Sequence, residues 1–412
     1  MERNLPTASV SDPHTHGMHC LRIALITETY PPEVNGVANT IQQVVTGLRG
    51  RGHSVQLVRP RQPAVESGTP EGDGETVLTR GVALPLYSHL RMGLPSHGLL
   101  RSLWLAQRPD IVHIATEGPL GWSALRVARQ LGLPVCADFR TNFQAYSRFY
   151  GVAWMHRPIL CYLRSFHNRC HGTMVPTDTL RTQLSRDGFG ALSVVARGVD
   201  TQRFSPARRD RALRARWSAG DDDVVVLHVG RLAPEKNLPV LVAAFRKIRE
   251  ACPRARLVVV GDGPSRHALE AQCAGAVFAG FRTGDDLAAH YASSDVFLFP
   301  SLTETYGNVT PEAMASGLAV VAFDDAAAGQ LIVHGHNGVL VPKGQTADFA
   351  MAALQVARDG DLQRRLGRMA RGRAEQLGWD CVIRHVENVY GLTAARASHR
   401  AAYLGLPEIG RT

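Results

Sequence analysis

The chain has 412 residues, 45% hydrophobic and 20% charged, a soluble globular composition too long for one ordinary core, so two or three domains are expected. No apolar run reaches the roughly 18–20 residues of a membrane span, and seven scattered cysteines without a Cys-x-x-Cys pair fit neither a zinc site nor a disulfide framework. The net charge of +10 favours acidic partners, but dispersed basic residues without an aromatic-studded groove argue against nucleic acid.

Residues 1–17 lack the apolar core of a signal peptide and read as a flexible leader of a cytoplasmic protein. Leu21–Ile26 is an apolar strand, broken by Thr27 to Pro32. Asn35-Gly36-Val37-Ala38 then opens a helix with Ile41, Val44, Val45 and Leu48 at helical spacing, and Ser54–Val58 gives the next strand. This β-α-β unit has a glycine at the helix entrance, where an anion meets backbone amides. Gln62–Thr76 reads as an exposed loop. Strands follow at Ile111–Ile114 and Val135–Asp138, with a helix Gly121–Gln130 between them; Gly172–Pro176 and Ser193–Val195 complete a first sheet.

Alternation restarts at Val224–Val229, followed by an amphipathic helix Leu238–Glu250. Further strands are predicted at Leu257–Val260, Ala276–Phe278, Val296–Phe299, Leu318–Ala322 and Gly338–Val341, with helices His267–Gln272, Asp285–Ala292 and Ala347–Ala357 between them. Strands alternating with helices twice over imply two doubly wound parallel α/β domains, 18–197 and 198–378, with a ligand between them at the strands' carboxyl ends. The basic run Arg208–Arg216 reads as a solvated helix face at the junction. Trp379–Tyr390 has helical spacing and is assigned to a closing helix, 379–392, leaving 393–412 as a tail.

Three stretches carry chemistry. In Pro300–Gly317 a strand ends at Pro300, a polar loop carries Glu304, Gly307 and Asn308, and a helix starts with Thr310 as N-cap and Pro311 at its first position. Gly317 is its C-cap. Such a strand–loop–helix aims N–H groups and a positive dipole end at an anion, and Glu304 and Glu312 bracket it. Second, Arg231 and Lys236 follow the strand that ends at Val229, two cations that could neutralise a diphosphate. Third, Gly261-Asp262-Gly263-Pro264 ends a strand in a glycine turn that is not the three-glycine dinucleotide fingerprint, which disfavours a nicotinamide or flavin enzyme.

Together NGVA at Asn35, RGVDTQRF at Arg197, HVGRLAPEKN at His228, VVVGDGP at Val258 and the pair Glu304 and Glu312 with EAMASG resemble the retaining, nucleotide-sugar-dependent glycosyltransferases of family 4. The resemblance runs from about Leu21 to Tyr390. TETYPPEVNGVA and ARGVDTQRFSP look like its sulfolipid synthase and lipid-directed mannosyltransferase branch. It implies the two-domain GT-B fold and transfer of a hexose from a UDP- or GDP-sugar to a hydroxyl of a lipid or polysaccharide.

By that resemblance Glu312 accepts hydrogen bonds from the donor ribose and Glu304 lies by the transferred sugar. The amides of Tyr306, Gly307, Asn308 and Val309 hold its hydroxyls and the phosphates. Arg231 and Lys236 stabilise the departing diphosphate in place of a metal ion, so no cofactor is expected. Gly36 and Gly230 let backbone approach the donor, and Arg282 lies in the region of the nucleotide base. On the acceptor side His113 ends a strand beside the cleft as a candidate catalytic residue, and Arg140 stands where the family commonly has a histidine: either the acceptor carries an anionic group that Arg140 meets, or His113 does the work alone. Pro311 and Gln330 are further departures from the family pattern. A nucleotide-sugar epimerase or hydrolase on the same fold, or a non-catalytic sugar-nucleotide-binding protein, are the alternatives. The positive charge permits peripheral contact with anionic membrane, at the inner face of the cell membrane.

Overall fold

The computed structural model describes residues 20–33, 35–62, 75–84, 87–140 and 156–403. The leader, most of the predicted loop after Gln62 and the residues just beyond Arg140 lie outside them. Nine strands belong to the first half: β1 (Arg22–Ile26), β2 (Ser54–Pro60), β3 (Thr76–Thr79), β4 (Gly81–Leu84), β5 (Tyr87–Gly93), β6 (Ile111–Ile114), β7 (Val135–Asp138), β8 (Gly172–Val175) and β9 (Leu192–Val194). Seven form a sheet in the order β3-β2-β1-β6-β7-β8-β9, every neighbouring pair parallel, while β4 and β5 make a separate hairpin. The second half adds β10 (Val225–Val229), β11 (Arg256–Val260), β12 (Val277–Gly280), β13 (Val296–Phe299), β14 (Ala319–Phe323) and β15 (Val339–Val341). They form an all-parallel sheet in the order β12-β11-β10-β13-β14-β15.

Both sheets reverse direction beside their first strand, between β1 and β6 and between β10 and β13. Crevices open outside the carboxyl ends of such neighbouring strands because their crossover helices leave on opposite faces. The loops there are Thr27–Asn35 and Ala115–Gly118 in the first sheet, and Gly230–Asn237 and Pro300–Asn308 in the second. The central strands are buried at every residue, as continuous apolar runs covered on both faces must be.

Three expectations change. The helix after Pro300 is Val309–Ala315 with Asn308 at its N-cap, because its first bonds run from Thr310 N to Gly307 O and from Glu312 N to Asn308 O. Pro311 is therefore the third helical residue, still among the four whose N–H lacks an intrahelical partner. Gly317 sits just past that helix at φ +76, a left-handed value suited to glycine.

The closing helix runs from Trp379 to Tyr403, through most of the expected tail. Its buried series Ile383, Val386, Tyr390, Thr393 and Ala397 continues at three- and four-residue steps with small side chains. It packs on the first domain. Glu387 accepts from Arg51 Nε at 2.7 Å and meets His53 at 2.9 Å, and a Cβ on Gly172 would stand 2.5 Å from Thr393 Oγ1.

The junction arginines are not simply a solvated face. Arg214 is 1% exposed; it donates to the carbonyls of Ser293, Gly220 and Asp223 at 2.6–2.8 Å and to Asp295 at 3.1 Å.

Candidate active site

At the β10–β13 crevice Lys236, 9% exposed, ends a short 3-10 turn and directs Nζ to Glu304, which also accepts from Ser301 Oγ at 2.9 Å. Nζ stands 5.3 Å over the Phe299 ring. The backbone can bend this way because Asn237 takes a left-handed conformation, φ 54, between the turn and the helix Leu238–Ala251. Arg231, from the same loop, is more open and pairs with the fully buried Glu235. Gly230, just before Arg231, has φ +154, and a Cβ on it would stand 3.8 Å from Lys236 Cε. Beneath the loop, His228 is fully buried with Nδ1 3.0 Å from the Leu298 carbonyl; burial, opposed by that bond and helped by Lys236, lowers its pKa to about 4, so the ring is neutral.

Glu312 lies one helical turn past Asn308 and accepts from the Tyr291 hydroxyl at 2.9 Å. Burial pushes its pKa up to about 7, against the opposing pull of that hydrogen bond. A raised folded pKa means that the stabilisation belongs to the protonated carboxyl: it is whole below the unfolded value and lost as pH rises through about 7. A ligand that bonds to the carboxylate has the opposite preference. Nucleotide affinity is therefore expected to weaken below pH 7, by up to about tenfold per pH unit for one linked proton. Calorimetry across pH 5.5–8 checks this, and Glu312→Gln should flatten the dependence.

The remaining predicted donor residues divide. Gly307 (φ +88) and Asn308 form the turn beside Glu304, with Val309 opening the helix. The Tyr306 side chain points away into the core, where its hydroxyl donates to the Arg197 carbonyl at 3.1 Å and burial raises its pKa to about 12. Arg282 lies beyond β12 at the sheet edge, bonded to the Ala279 carbonyl at 2.9 Å and to Asp286 at 3.1 Å. Gly36 does face the second domain. A Cβ there would stand 3.5 Å from Asn308 Nδ2, an ordinary van der Waals contact, so the two loops lie close together here without the approach requiring glycine. The neighbouring Asn35 caps its helix, accepting from Val37 N and Ala38 N at 3.0 and 2.8 Å.

His113 is not at the cleft rim. It lies inside β6, 0% exposed, with Nδ1 2.7 Å from the Tyr390 hydroxyl and Nε2 2.8 Å from Asp138. Asp138 in turn accepts from Arg140 Nε at 2.7 Å; burial pushes its pKa up, but Arg140 and then His113 outweigh this and hold it at about 2. So a chain of contacts runs from the closing helix through His113 and Asp138 to Arg140 at the cleft. Sequence reasoning left Asp138 and Tyr390 without roles, since partners 25 and 277 residues away leave no mark on local spacing.

Residues 34–203 match the family described as Glycosyltransferase Family 4, and residues 223–359 match Glycosyl transferases group 1. A GDP-mannose-dependent alpha-mannosyltransferase of Mycolicibacterium smegmatis is 34% identical over 391 residues, 92% of this chain and 100% of the relative. The chain belongs to glycosyltransferase family 4. A protein of that same name from Mycobacterium tuberculosis is 36% identical over 79% of this chain and 85% of its own length. A sulfoquinovosyl transferase of Arabidopsis thaliana is 31% identical over 89% of this chain and 72% of its own. Among solved structures, sucrose-phosphate synthase from Thermosynechococcus elongatus superposes with a TM-score of 0.74 at 20% identity, over 91% of this chain and 99% of that one. The two parallel sheets with their facing crevices are thus the GT-B architecture, and this family 4 member is a glycosyltransferase.

Proposed function

We propose that this glycosyltransferase moves mannose from GDP-mannose to a hydroxyl of a membrane lipid with retention of the α configuration. The observation that carries it is the buried Lys236–Glu304 pair at the β10–β13 crevice, in a loop whose Asn308 comes close to Gly36 of the other domain. Full-length similarity to proteins named GDP-mannose-dependent alpha-mannosyltransferase supports the choice of donor.

In this reading Lys236 and Arg231 meet the diphosphate as charge develops on it, and Glu304, released from Lys236, turns to the sugar hydroxyls. Glu312 holds the ribose. Rate comes from leaving-group stabilisation and positioning, which need no strong base. His113 serves as a positioning residue that acts through Asp138 and Arg140, and Arg140 meets the acceptor. The cationic pair does the work of a divalent ion, so transfer should keep its rate in excess EDTA; a loss restored by magnesium would count against the role given to Lys236 and Arg231. Calorimetric titration with GDP and UDP tests the donor: GDP should bind at least tenfold tighter, and a preference for UDP would transfer the proposal to a UDP-sugar.

We further propose that the first domain docks on anionic membrane. Its helices His97–Ala106 and His156–His167 expose Leu99, Leu105 and Tyr162 beside Arg101, Arg157 and Arg164. No described helix is long and apolar enough to cross a membrane. Flotation with phosphatidylglycerol vesicles should carry the protein upward and Leu105→Glu should reduce it; equal flotation with neutral vesicles would remove the electrostatic part.

A further inference from the structure

Arg197 lies in the linker just after β9, 8% exposed, and its guanidinium touches both domains. Nη1 donates to Asn308 Oδ1 at 3.3 Å and Nη2 to the Arg140 carbonyl at 3.5 Å, both long bonds to neutral acceptors. The charged carbon stands 5.8 Å over the Tyr306 ring. Among the described residues no carboxylate reaches ion-pair distance of it. The adjacent cation, Arg140, already takes Asp138, which His113 shares. Two guanidiniums therefore share a largely buried place in which only Arg140 has an ion-paired carboxylate. Burial first, and then the charge of Arg140, draw the Arg197 pKa down to about 10. An unpaired buried cation is costly and persists where it serves a ligand. Gly36 of the first domain lies against the same guanidinium: an added Cβ there would stand 3.9 Å from Nη1, at ordinary contact distance.

We propose that Arg197, with Arg140, forms an oxyanion subsite between the domains that takes a phosphate or carboxylate group of a substrate. A planar guanidinium presents paired N–H donors to just such a group, and the two long neutral bonds are the ones it would exchange. The proposal rests on the reading of this cleft as the transfer site. The anion has two sources: the donor diphosphate, since Asn308 belongs to the donor loop, or an anionic group of the acceptor, since Arg140 belongs to the first domain.

The test compares wild type with Arg197→Gln, which keeps an amide donor toward Asn308, and with Arg197→Lys, which keeps the charge without the fork. Melting temperature is read in sodium phosphate and in sodium chloride of equal ionic strength, and inorganic phosphate is titrated by calorimetry. The expected result is phosphate affinity at least tenfold weaker in Arg197→Gln, intermediate in Arg197→Lys, with the melting temperature of Arg197→Gln in chloride equal to or above wild type. Phosphate affinity within twofold of wild type overturns the proposal. So does a large loss of melting temperature or failure to fold in chloride, either of which makes Arg197 a structural latch. Repeating the phosphate titration in saturating GDP separates the sources: displaced phosphate means the donor diphosphate, and retained phosphate means the acceptor. These readouts need no turnover, so wild-type protein that binds phosphate but no nucleotide would sink the transferase reading and not the subsite.

Discussion

Lys236→Ala is expected to lower kcat by about 10²–10³-fold and to leave the fold intact. The ammonium is 9% exposed, held between Glu304 and the face of Phe299, so in that enclosed place it interacts with a departing diphosphate more strongly than in water. Its removal leaves Glu304 with the Ser301 hydroxyl and an edge of solvent, which limits the structural damage. Arg231→Ala is the less clean experiment, because it also strips an ion pair from the fully buried Glu235. Initial rates with GDP-mannose, beside thermal unfolding of both proteins, check the prediction. A variant within threefold of the wild-type rate removes Lys236 from the mechanism.

Arg214→Ala destabilises the second domain by about 3–5 kcal/mol. Three backbone carbonyls and Asp295 converge on this guanidinium, and an alanine takes the donor from all three carbonyls, while Asp295 keeps Arg209 and Val225 N. Urea unfolding followed by tryptophan fluorescence, with Trp217 buried nearby at the end of the same short helix, reads the change. A shift below 1 kcal/mol would mean that the site collapses or hydrates freely.

These two residues also show what could be read from the chain. The place of Lys236 at the crevice was legible because it follows the first strand of its sheet, and the doubly wound order puts the loop after that strand beside the switch point. Arg214 was not, for it sits in a run of arginines whose pattern is that of a solvated surface, and its partners lie up to 81 residues away. The helix Gly360–Glu375 escaped notice for a related reason. Its buried face includes Gly367, Ala370 and Ala374, which carry almost no hydrophobic signal. Yet a Cβ on Gly367 would stand 2.1 Å from the Gly317 carbonyl, so this face of small residues is what lets the helix reach the end of the Pro300–Gly317 stretch. His113 is the opposite case. Its place near the end of a strand suggested the cleft, but pleating turned it toward Tyr390 and the closing helix.

In the proposed function Pro300–Gly317 and Gly230–Asn237 act together as a sugar-nucleotide site facing the first domain. The most direct test incubates the enzyme with GDP-mannose and a detergent-dispersed extract of membrane lipids, and follows GDP release together with the anomeric configuration of any new glycolipid by NMR. The predicted result is GDP released in step with an α-mannosylated lipid. GDP release without a glycosylated product, or a β-linked product, would contradict it.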